Sequence, residues 1–464
     1  MRSTLCAVVW CGLATMLAAE DSTSAPVNLQ CSLAEPVMRD DIASTQPNFL
    51  KVSLIGRPLE PQRERAPVNV ALVIDKSGSM QGEKIERAKQ GLLAAIDRLG
   101  AQDIVTIVAY DTVVQTVLPA TKLTDREQIR AAINSLSANG NTALFAGVSK
   151  GAAELRKFRS ESRFNRVILL SDGLANVGPS SPEALAELGS SLAAEGISVT
   201  TLGLGLDYNE DLLARLAATS GGSHAFISDA DRLAATLQNE FDDVLSVVAS
   251  DCQIVIDCGP GIRPVRIFNA EGTIDGSKVY ITQSQVYGGQ ERYILIEVEV
   301  DPQTPSVSDR QLRATVEYYD LLHRGRTQSV QPIKATYGAA EEVLAHQNLD
   351  VLSKYELLVA DERNREATRL RDEGRIDDAR QLLRDNSIRL KTFYEGVDKS
   401  GKLPASDLYM LKLSEQGNSA QAEELDKDWS RSRKQMLELQ NTVRGQQSYG
   451  GAGKVAMPPS KKQP

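Results

Sequence analysis

Apolar residues are arranged in three successive patterns along the chain, and the central pattern is the clearest. Val68–Ile74 is an almost unbroken apolar run, as expected for a strand that is buried on both faces. In the next segment, Lys84–Leu99, apolar side chains recur at helical spacing. The same alternation predicts further strands and helices at Ile104–Tyr110, Arg126–Leu136, Leu144–Phe158, Val167–Leu170, Pro182–Glu195, Ser198–Leu204, Asp211–Ala218, Ala225–Ile227 and Arg232–Val248. Strands that alternate with helices predict an α/β domain over residues 68–248, with a doubly wound, mostly parallel sheet.

Segments typical of β-structure flank this domain on both sides. Residues 249–338 contain four candidate strands, and in one of them Glu297 and Glu299 alternate with apolar neighbours, which indicates an antiparallel sheet with one solvated face. Four strands are too few for a sandwich. The two β-like runs within residues 27–60 are therefore expected to complete it, in an N-terminal segment and proline-rich linker that spans residues 20–67. The α/β domain would then be an insertion in a β-sandwich-like domain.

The C-terminal part of the chain is charged and helical from residue 339 to residue 445. Glu366–Arg384 has apolar residues at helical spacing on either side of Gly374, which predicts two helices joined by a turn at the glycine. The unit resembles a tetratricopeptide motif, but no second copy follows at the required period, so a plain helical hairpin is favoured. Residues 446–464 are rich in Gly, Gln, Pro and Lys and contain no acid, which is typical of a disordered tail.

The first 19 residues are typical of a secretory signal peptide. Arg2 precedes an apolar run that ends at Ala19, where cleavage is expected, and acidic residues follow. The run is shorter than the roughly 20 residues that a membrane-spanning helix needs, although an uncleaved anchor is the alternative interpretation. The sequence therefore predicts an exported protein that resides in a periplasm or outside the cell.

The charge balance argues against nucleic-acid binding. The chain has 52 Lys and Arg residues against 61 Asp and Glu residues, a formal net charge of −9. Because phosphate binding needs clustered basic side chains, an acidic chain without a basic stripe is not expected to bind DNA or RNA. Only 3 histidines occur, far apart in sequence, which leaves little material for zinc sites.

Cleavage after Ala19 would leave three cysteines, Cys31, Cys252 and Cys258. In an oxidising compartment, three thiols predict one disulfide and one unpaired cysteine. Cys252 and Cys258 lie at opposite ends of a predicted strand that spans roughly 20 Å, too far for a bond between them. The favoured pair is Cys31 with Cys252 or Cys258, and three buried free thiols are the alternative.

Polar side chains follow three of the predicted elements at positions where they are expected to converge. An Asp-x-Ser-x-Ser string follows the first parallel strand, a Gly-Asn-Thr sequence leads into the helix at Leu144, and Ser-Asp-Gly follows the strand that ends at Leu170. Ligands of open α/β sheets bind beyond the carboxyl ends of the strands, so the three loops face one crevice. The candidate cation ligands are Asp75, Ser77, Ser79, Thr142 and Asp172.

This set of hard oxygen donors favours Mg²⁺ first, with Mn²⁺ or Ca²⁺ as alternatives, and it does not suit zinc. Hydroxyl ligands are neutral, so a bound cation would remain electrophilic and able to accept an acidic group from outside. The plainer interpretation is that Ser77 and Ser79 only cap a helix and that Asp172-Gly173 is an ordinary turn. The presence of all three loops at the correct ends of the correct strands favours the cation site.

On these motifs, residues 68–248 resemble a von Willebrand factor type A domain with a metal-ion-dependent adhesion site. The stretch Leu202–Gly205, followed by Asp207–Asn209, is similar to the family's penultimate strand and loop. The resemblance implies that Ser77, Ser79 and Thr142 contact the cation, while Asp75 and Asp172 act directly or through water. It also implies a protein partner whose Asp or Glu completes the coordination. The flanking segments are similar, more loosely, to exported bacterial relatives of inter-alpha-trypsin inhibitor heavy chains.

Motifs of three common enzyme classes are absent from the sequence: the His-Glu-x-x-His zinc motif, a phosphate-binding loop and a Gly-x-Ser-x-Gly elbow. The sequence therefore predicts a binding protein without enzymatic activity. Three functions remain open. The first is an adhesion or assembly module that binds an acidic residue of its partner through the cation, and the second is an envelope scaffold protein in which the cation is only structural. The third, a part of an ATPase-coupled assembly machine such as some relatives of this fold serve, is disfavoured because those machines work in the cytosol and the chain has a predicted signal peptide.

Overall fold

The computed structural model describes residues 25–59, 65–304, 308–398 and 401–445. The predicted signal peptide and C-terminal tail lie outside these residues, as does part of the linker that precedes Val68. The described chain begins with three strands, β1 (Val27–Leu33), β2 (Val37–Arg39) and β3 (Gln46–Gly56).

The central domain follows, with six strands and six helices in near-regular alternation. They are β4 (Val68–Asp75), α1 (Glu83–Ile96), β5 (Ile104–Tyr110), β6 (Val114–Lys122), α2 (Arg126–Asn134), α3 (Leu144–Arg156), β7 (Phe164–Ser171), α4 (Pro182–Ala194), β8 (Ile197–Leu204), α5 (Glu210–Thr219), β9 (His224–Ile227) and α6 (Leu233–Leu245). The strand order is β6-β5-β4-β7-β8-β9, and every neighbouring pair is parallel except β5 with β6. The predicted doubly wound α/β class is confirmed.

Helices cover both faces of this sheet. α1, α2 and α6 bury their apolar side chains against one face, and α3, α4 and α5 bury theirs against the other. Every residue of β4 is buried, which explains why its sequence is a continuous apolar run instead of an alternating one. The carboxyl edge of the sheet is left to the loops.

Two details of the elements predicted for the central domain are wrong. β6 was not expected, because as an edge strand it buries only Leu118 and contains Pro119, a residue that edge strands tolerate. The last predicted helix, Arg232–Val248, ends at Leu245 in the structure. Val247 and Val248 instead begin the next strand, where their β-branched side chains are buried.

β1, β2 and β3 form a β-sandwich together with the strands that follow the central domain. These later strands are β10 (Val247–Cys258), β11 (Ile262–Ile267), β12 (Gly272–Asp275), β13 (Lys278–Tyr287), β14 (Glu291–Val300), β15 (Asp309–Asp320) and β16 (Gly325–Gly338). One sheet has the order β1-β3-β14-β11 and the other the order β12-β13-β10-β15-β16-β2. β3 pairs with β14, with Val52 opposite Ile294, so strands from before and after the α/β domain share one sheet and one core.

The three cysteines of the described chain lie in this sandwich core as free, buried thiols. Cys31 is on β1 of one sheet, whereas Cys252 and Cys258 are on β10 of the other. The predicted disulfide is therefore not seen among these cysteines, and the alternative of three buried free thiols describes the structure. Burial raises the pKa of Cys31 and of Cys258 to about 12, which keeps both thiols protonated.

Five helices complete the described chain: α7 (Ala340–His346), α8 (Leu349–Asp372), α9 (Ile376–Asp398), α10 (Ala405–Glu424) and α11 (Trp429–Gly445). α8 and α9 are joined at Gly374, whose φ of +83° is the left-handed conformation that favours glycine at a helix end, as the sequence predicts. The bundle contacts the sandwich through Lys51, whose ammonium group binds Asp350 of α8 at 2.5 Å. Among the described helices, none combines the length and apolar character that a membrane crossing requires.

Candidate metal centre

The five predicted ligands lie together at the carboxyl edge of the central sheet. Asp75 is the last residue of β4, and Asp172 directly follows β7. The two strands are parallel neighbours, with Ile74 opposite Leu170, so their ends place the two carboxylates side by side. Ser77 and Ser79 follow β4 in a short turn, and Thr142 lies in the loop that leads to α3.

Hydrogen bonds link four of these residues in series. Asp75 Oδ1 accepts the backbone N–H of Ser77 at 2.8 Å. The hydroxyl oxygens of Ser77 and Ser79 are 3.0 Å apart, and Ser79 donates to Asp172 Oδ1 at 2.7 Å. Because a hydroxyl that donates its hydrogen keeps its lone pairs free, Ser79 is able to bind a cation while it remains bonded to Asp172.

Thr142, in the loop that leads to α3, completes the group of five candidate ligands. A methyl group added at Gly173 would lie 3.3 Å from Ser79 Oγ and 3.5 Å from Thr142 Oγ1, so both hydroxyls face the space beside this glycine. Asn176 fixes the threonine backbone: its Oδ1 accepts the Thr142 N–H at 2.9 Å, and its own N–H donates to the Thr142 carbonyl at 3.1 Å.

Backbone hydrogen bonds fasten the loops to one another. The Gly78 N–H donates to the Gly140 carbonyl at 2.9 Å, and the Asn139 N–H donates to the Lys76 carbonyl at 2.6 Å. Lys76 also forms an ion pair with Asp111, in the loop after β5. This ion pair braces the loop after β5 against the loop after β4.

The two carboxylates of the site differ in their charge partners. Both are fully buried. Asp172 Oδ2 accepts the ammonium group of Lys84 at 2.6 Å, whereas Asp75 is bonded to Ser77 and to the Ser171 hydroxyl, with no cationic partner among the described residues. Burial raises the pKa of Asp75, and the hydrogen bonds from Ser77 and Ser171 partly offset the rise. A buried carboxylate without a cation is the arrangement that a divalent ion would stabilise.

Ser77, Ser79 and Thr142 line an open cleft of about 300 Å³. The two buried carboxylates are not part of its wall, but they are hydrogen-bonded to Ser77 and Ser79. Its wall also includes residues that the sequence analysis did not nominate as ligands: Asn141, Leu174, Asn176 and Asp207. Leu174 is 58% exposed at the rim. Asp207 could have been found, since the family-like stretch Asp207–Asn209 was already apparent, whereas Lys84 and Asn176 carry no motif of their own.

Three hydroxyls and two carboxylates fit a small, hard divalent cation, because all of them are oxygen donors and two carry the charge. Over the described ranges, no cluster of three or more His, Cys, Asp or Glu side chains is arranged as a metal site. His224, the first residue of β9, contacts the Thr201 hydroxyl through Nδ1 at 2.9 Å and lies outside the cleft. The identity of the five residues as cation ligands remains a prediction.

A larger cavity of about 530 Å³ lies elsewhere, between the α/β domain and the sandwich. Its lining includes Asn165 and Ile197, which belong to the beginnings of β7 and β8, together with Gln253 of β10. It therefore opens at the amino edge of the sheet, opposite the carboxylates. Its size does not make it the better cation site, because Glu195 and Asp251 in its lining are already paired with Arg156 and Arg326.

Comparison with known proteins agrees with this geometry. Residues 69–240 match the von Willebrand factor type A domain family. An uncharacterized protein of Synechocystis is 26% identical over 68% of this chain and 77% of its own length. The human inter-alpha-trypsin inhibitor heavy chain H3 is 33% identical over 36% of this chain and 20% of its own length. These matches confirm the resemblance to a von Willebrand factor type A domain.

A solved structure, a von Willebrand factor type A protein from Catenulispora acidiphila, covers 91% of this chain and 98% of its own at a TM-score of 0.66 and 18% identity. At that identity the likeness shows the shared fold and nothing finer. The strand order, the position of the cleft and the family match lead to one assignment. Residues 69–240 of this chain belong to the von Willebrand factor type A domain family.

Proposed function

We propose that this chain is an exported adhesion or assembly module that binds a protein partner through a divalent cation. The cation would be held by Asp75, Ser77, Ser79, Thr142 and Asp172, and an Asp or Glu of the partner would complete its coordination. The observation that carries the proposal is the grouping of these residues at the carboxyl edge of the sheet: the three hydroxyls line one open cleft, and the two buried carboxylates are hydrogen-bonded to Ser77 and Ser79.

Von Willebrand factor type A domains mediate protein–protein interactions, often through a divalent metal. The donor set supports Mg²⁺ in this chain, with Mn²⁺ or Ca²⁺ as alternatives. The three hydroxyls would bind the cation without neutralising it, and the two carboxylates would hold it directly or through water. The remaining positive charge would attract the partner's carboxylate, which the open rim of the cleft admits.

The export part of the proposal rests on residues 1–19, whose sequence is typical of a signal peptide. Cell fractionation, followed by N-terminal sequencing of the purified protein, tests it. A mature N-terminus at Glu20 in the periplasmic or extracellular fraction is expected. A protein recovered from the cytoplasm with Met1 in place would contradict export without affecting the cation site.

The partner-binding step is tested by the relaxation of water protons near bound Mn²⁺. The chain is loaded with Mn²⁺ and titrated with N-acetyl-glutamate amide, and N-acetyl-glutamine amide serves as the matched neutral control. If a carboxylate completes the coordination, the glutamate compound displaces a cation-bound water and lowers the relaxation enhancement, whereas the glutamine compound does not.

Tight Mn²⁺ binding that is insensitive to both compounds would contradict the proposal. It would favour the alternative, an envelope scaffold protein in which the cation is only structural. A Ser79→Ala variant, compared with Ser228→Ala, shows whether the measured Mn²⁺ is in the cleft. Ser228 follows β9 at the same edge of the sheet but does not line the cleft.

A further inference from the structure

The wall of the cleft that contains Asp207 is held by a helix from the far end of the chain. We define the cleft loop as residues 205–209, between β8 and α5. Asp207 lines the cleft, and Tyr208, the next residue, is 2% exposed and packs beneath the loop. Whatever fixes Tyr208 therefore fixes this side of the cleft.

Tyr208 packs against β8, the strand next to β7 in the central sheet. A methyl group added at Gly203 of β8 would be 2.2 Å from Tyr208 Cζ, so the ring occupies the space that this glycine leaves. Gly203 is paired with Ser171 of β7, and Ser171 donates its hydroxyl hydrogen to Asp75 Oδ2 at 2.9 Å. The Tyr208 ring is therefore connected to Asp75 of the proposed site through the pairing of β8 with β7.

Lys434 of α11 contacts the same tyrosine. Its ammonium nitrogen is 4.4 Å from the centre of the Tyr208 ring and donates to the Tyr208 carbonyl at 3.1 Å. It also forms an ion pair with Glu210 Oε2, the first residue of α5, at 2.5 Å. The Lys434 side chain is 2% exposed, so this ammonium group is held by the loop and not by solvent.

Arg433 extends the contact and ties it to the helical bundle. Its guanidinium group donates to Glu210 Oε1 at 2.6 Å and to Asp211 Oδ2 at 2.9 Å, while its Nε donates to Asp372 of α8 at 3.1 Å. Further along α11, Gln440 donates to Asn364 of α8 at 2.8 Å. α11 thus contacts the cleft loop and the start of α5 as well as α8.

We propose that Lys434 and Arg433 are positioning residues of the cation cleft, through which the C-terminal bundle holds the cleft loop in its binding conformation. This inference rests on the proposed function, because it assigns a regulator to the same site. Release of α11 would remove the contacts of Lys434 with Tyr208. The cleft loop would then be able to move away from the serine hydroxyls, and binding of the cation would weaken. Coupling is reciprocal, so a bound cation would in turn tighten the contact of α11 with the loop.

The test uses the full chain with Lys434→Gln, with Glu210→Gln as a second variant that breaks the same contact from the loop side. Arg431→Gln is the control, since Arg431 is an exposed residue of the same helix and its ion pair is with Asp428. Backbone hydrogen exchange of residues 205–209 is measured in EDTA, and Mg²⁺ affinity is measured by calorimetry.

Both contact variants are expected to speed exchange of the cleft loop about tenfold and to weaken Mg²⁺ binding roughly three- to tenfold, with the double variant no worse than either single one. The control should match the wild type in both measurements. Unchanged exchange in both contact variants would overturn the positioning role. Faster exchange with unchanged Mg²⁺ affinity would overturn its link to the cation.

The two proposals fail in different ways. If the wild-type chain binds none of the three cations, the proposed function is contradicted. The exchange measurement, which needs no cation, still decides whether α11 holds the cleft loop. If the wild type binds Mg²⁺ and the variants leave both measurements unchanged, only the inference about α11 is lost.

Discussion

Lys84 of α1 pairs with Asp172 Oδ2 at 2.6 Å, so one of the two buried carboxylates already has a cationic neighbour. The lysine side chain is 31% exposed, whereas that of the aspartate is fully buried. This lysine stabilises Asp172 without the cation and would repel a divalent ion bound beside it. Lys84 therefore opposes the cation electrostatically.

The first prediction concerns this opposition. Lys84→Met removes the positive charge and keeps most of the apolar stem, so Mg²⁺ affinity is expected to rise roughly three- to tenfold, measured by calorimetry. In EDTA the same variant should lose about 1–3 kcal/mol of unfolding free energy, because Asp172 is left buried without its partner. Lys89→Met, on the same helix, is the control. Weaker Mg²⁺ binding in Lys84→Met would contradict this account.

The second prediction concerns the space beside Gly173, which both Ser79 and Thr142 face. Gly173→Ala places a methyl group 3.3 Å from Ser79 Oγ, and Gly173→Val adds two more carbon atoms in the same direction. We expect a graded loss of Mg²⁺ affinity, small for alanine and at least about tenfold for valine, since the larger side chain occupies the position of the cation. Thermal unfolding in EDTA checks that both variants fold. Equal affinity in all three proteins would place the cation elsewhere.

The third prediction concerns pH and Glu240 of α6, a buried residue whose Oε2 accepts the Ser223 hydroxyl at 3.1 Å. Burial and then the nearby charge of Asp243 raise the pKa of Glu240 from 4.5 to about 7. Between these values the folded chain binds more protons than the unfolded one, so this group's contribution to stability is complete below pH 4.5 and is lost as the pH rises to about 7.

Glu240→Gln removes that dependence. In denaturant unfolding from pH 4.5 to pH 8, the variant should gain stability relative to the wild type as the pH rises, by up to about 3 kcal/mol, and the difference should level off above pH 7. Asp242→Asn, on the solvent side of the same helix, is the control. A difference that does not change with pH would show that Glu240 titrates as it does in the unfolded chain.

The fourth prediction concerns the three cysteines of the sandwich core. Because Cys31, Cys252 and Cys258 are free and buried, iodoacetamide should leave them unmodified in the folded protein and label all three in denaturant. Dithiothreitol should shift the Tm by less than about 1 °C, whereas loss of a disulfide typically costs about 2–5 kcal/mol. Labelling of only one cysteine in denaturant without reductant would indicate a disulfide and contradict this prediction.

The central sheet and the candidate ligands were accessible from sequence because both are local signals. A fully buried strand such as β4 appears in the sequence as an apolar run, and Asp75, Ser77 and Ser79 lie within five residues of one another at its carboxyl end. β6 escaped prediction because it is an exposed edge strand with one buried side chain. The residues that support the cleft escaped for another reason: Lys84 pairs with an aspartate 88 positions away, and Lys434 with a glutamate 224 positions away. Such pairs depend on how whole elements pack, and no short motif encodes them.

The central claim is that the cleft binds a divalent cation, and calorimetric titration tests it most directly. Mg²⁺, Mn²⁺ and Ca²⁺ are titrated in turn into the EDTA-treated, dialysed full chain, beside Thr142→Ala and the control Ser228→Ala. We predict one cation per chain, preferably Mg²⁺, with affinity lowered at least about tenfold in Thr142→Ala and unchanged in Ser228→Ala. Absence of binding for all three ions, or equal binding in Thr142→Ala, would contradict the account.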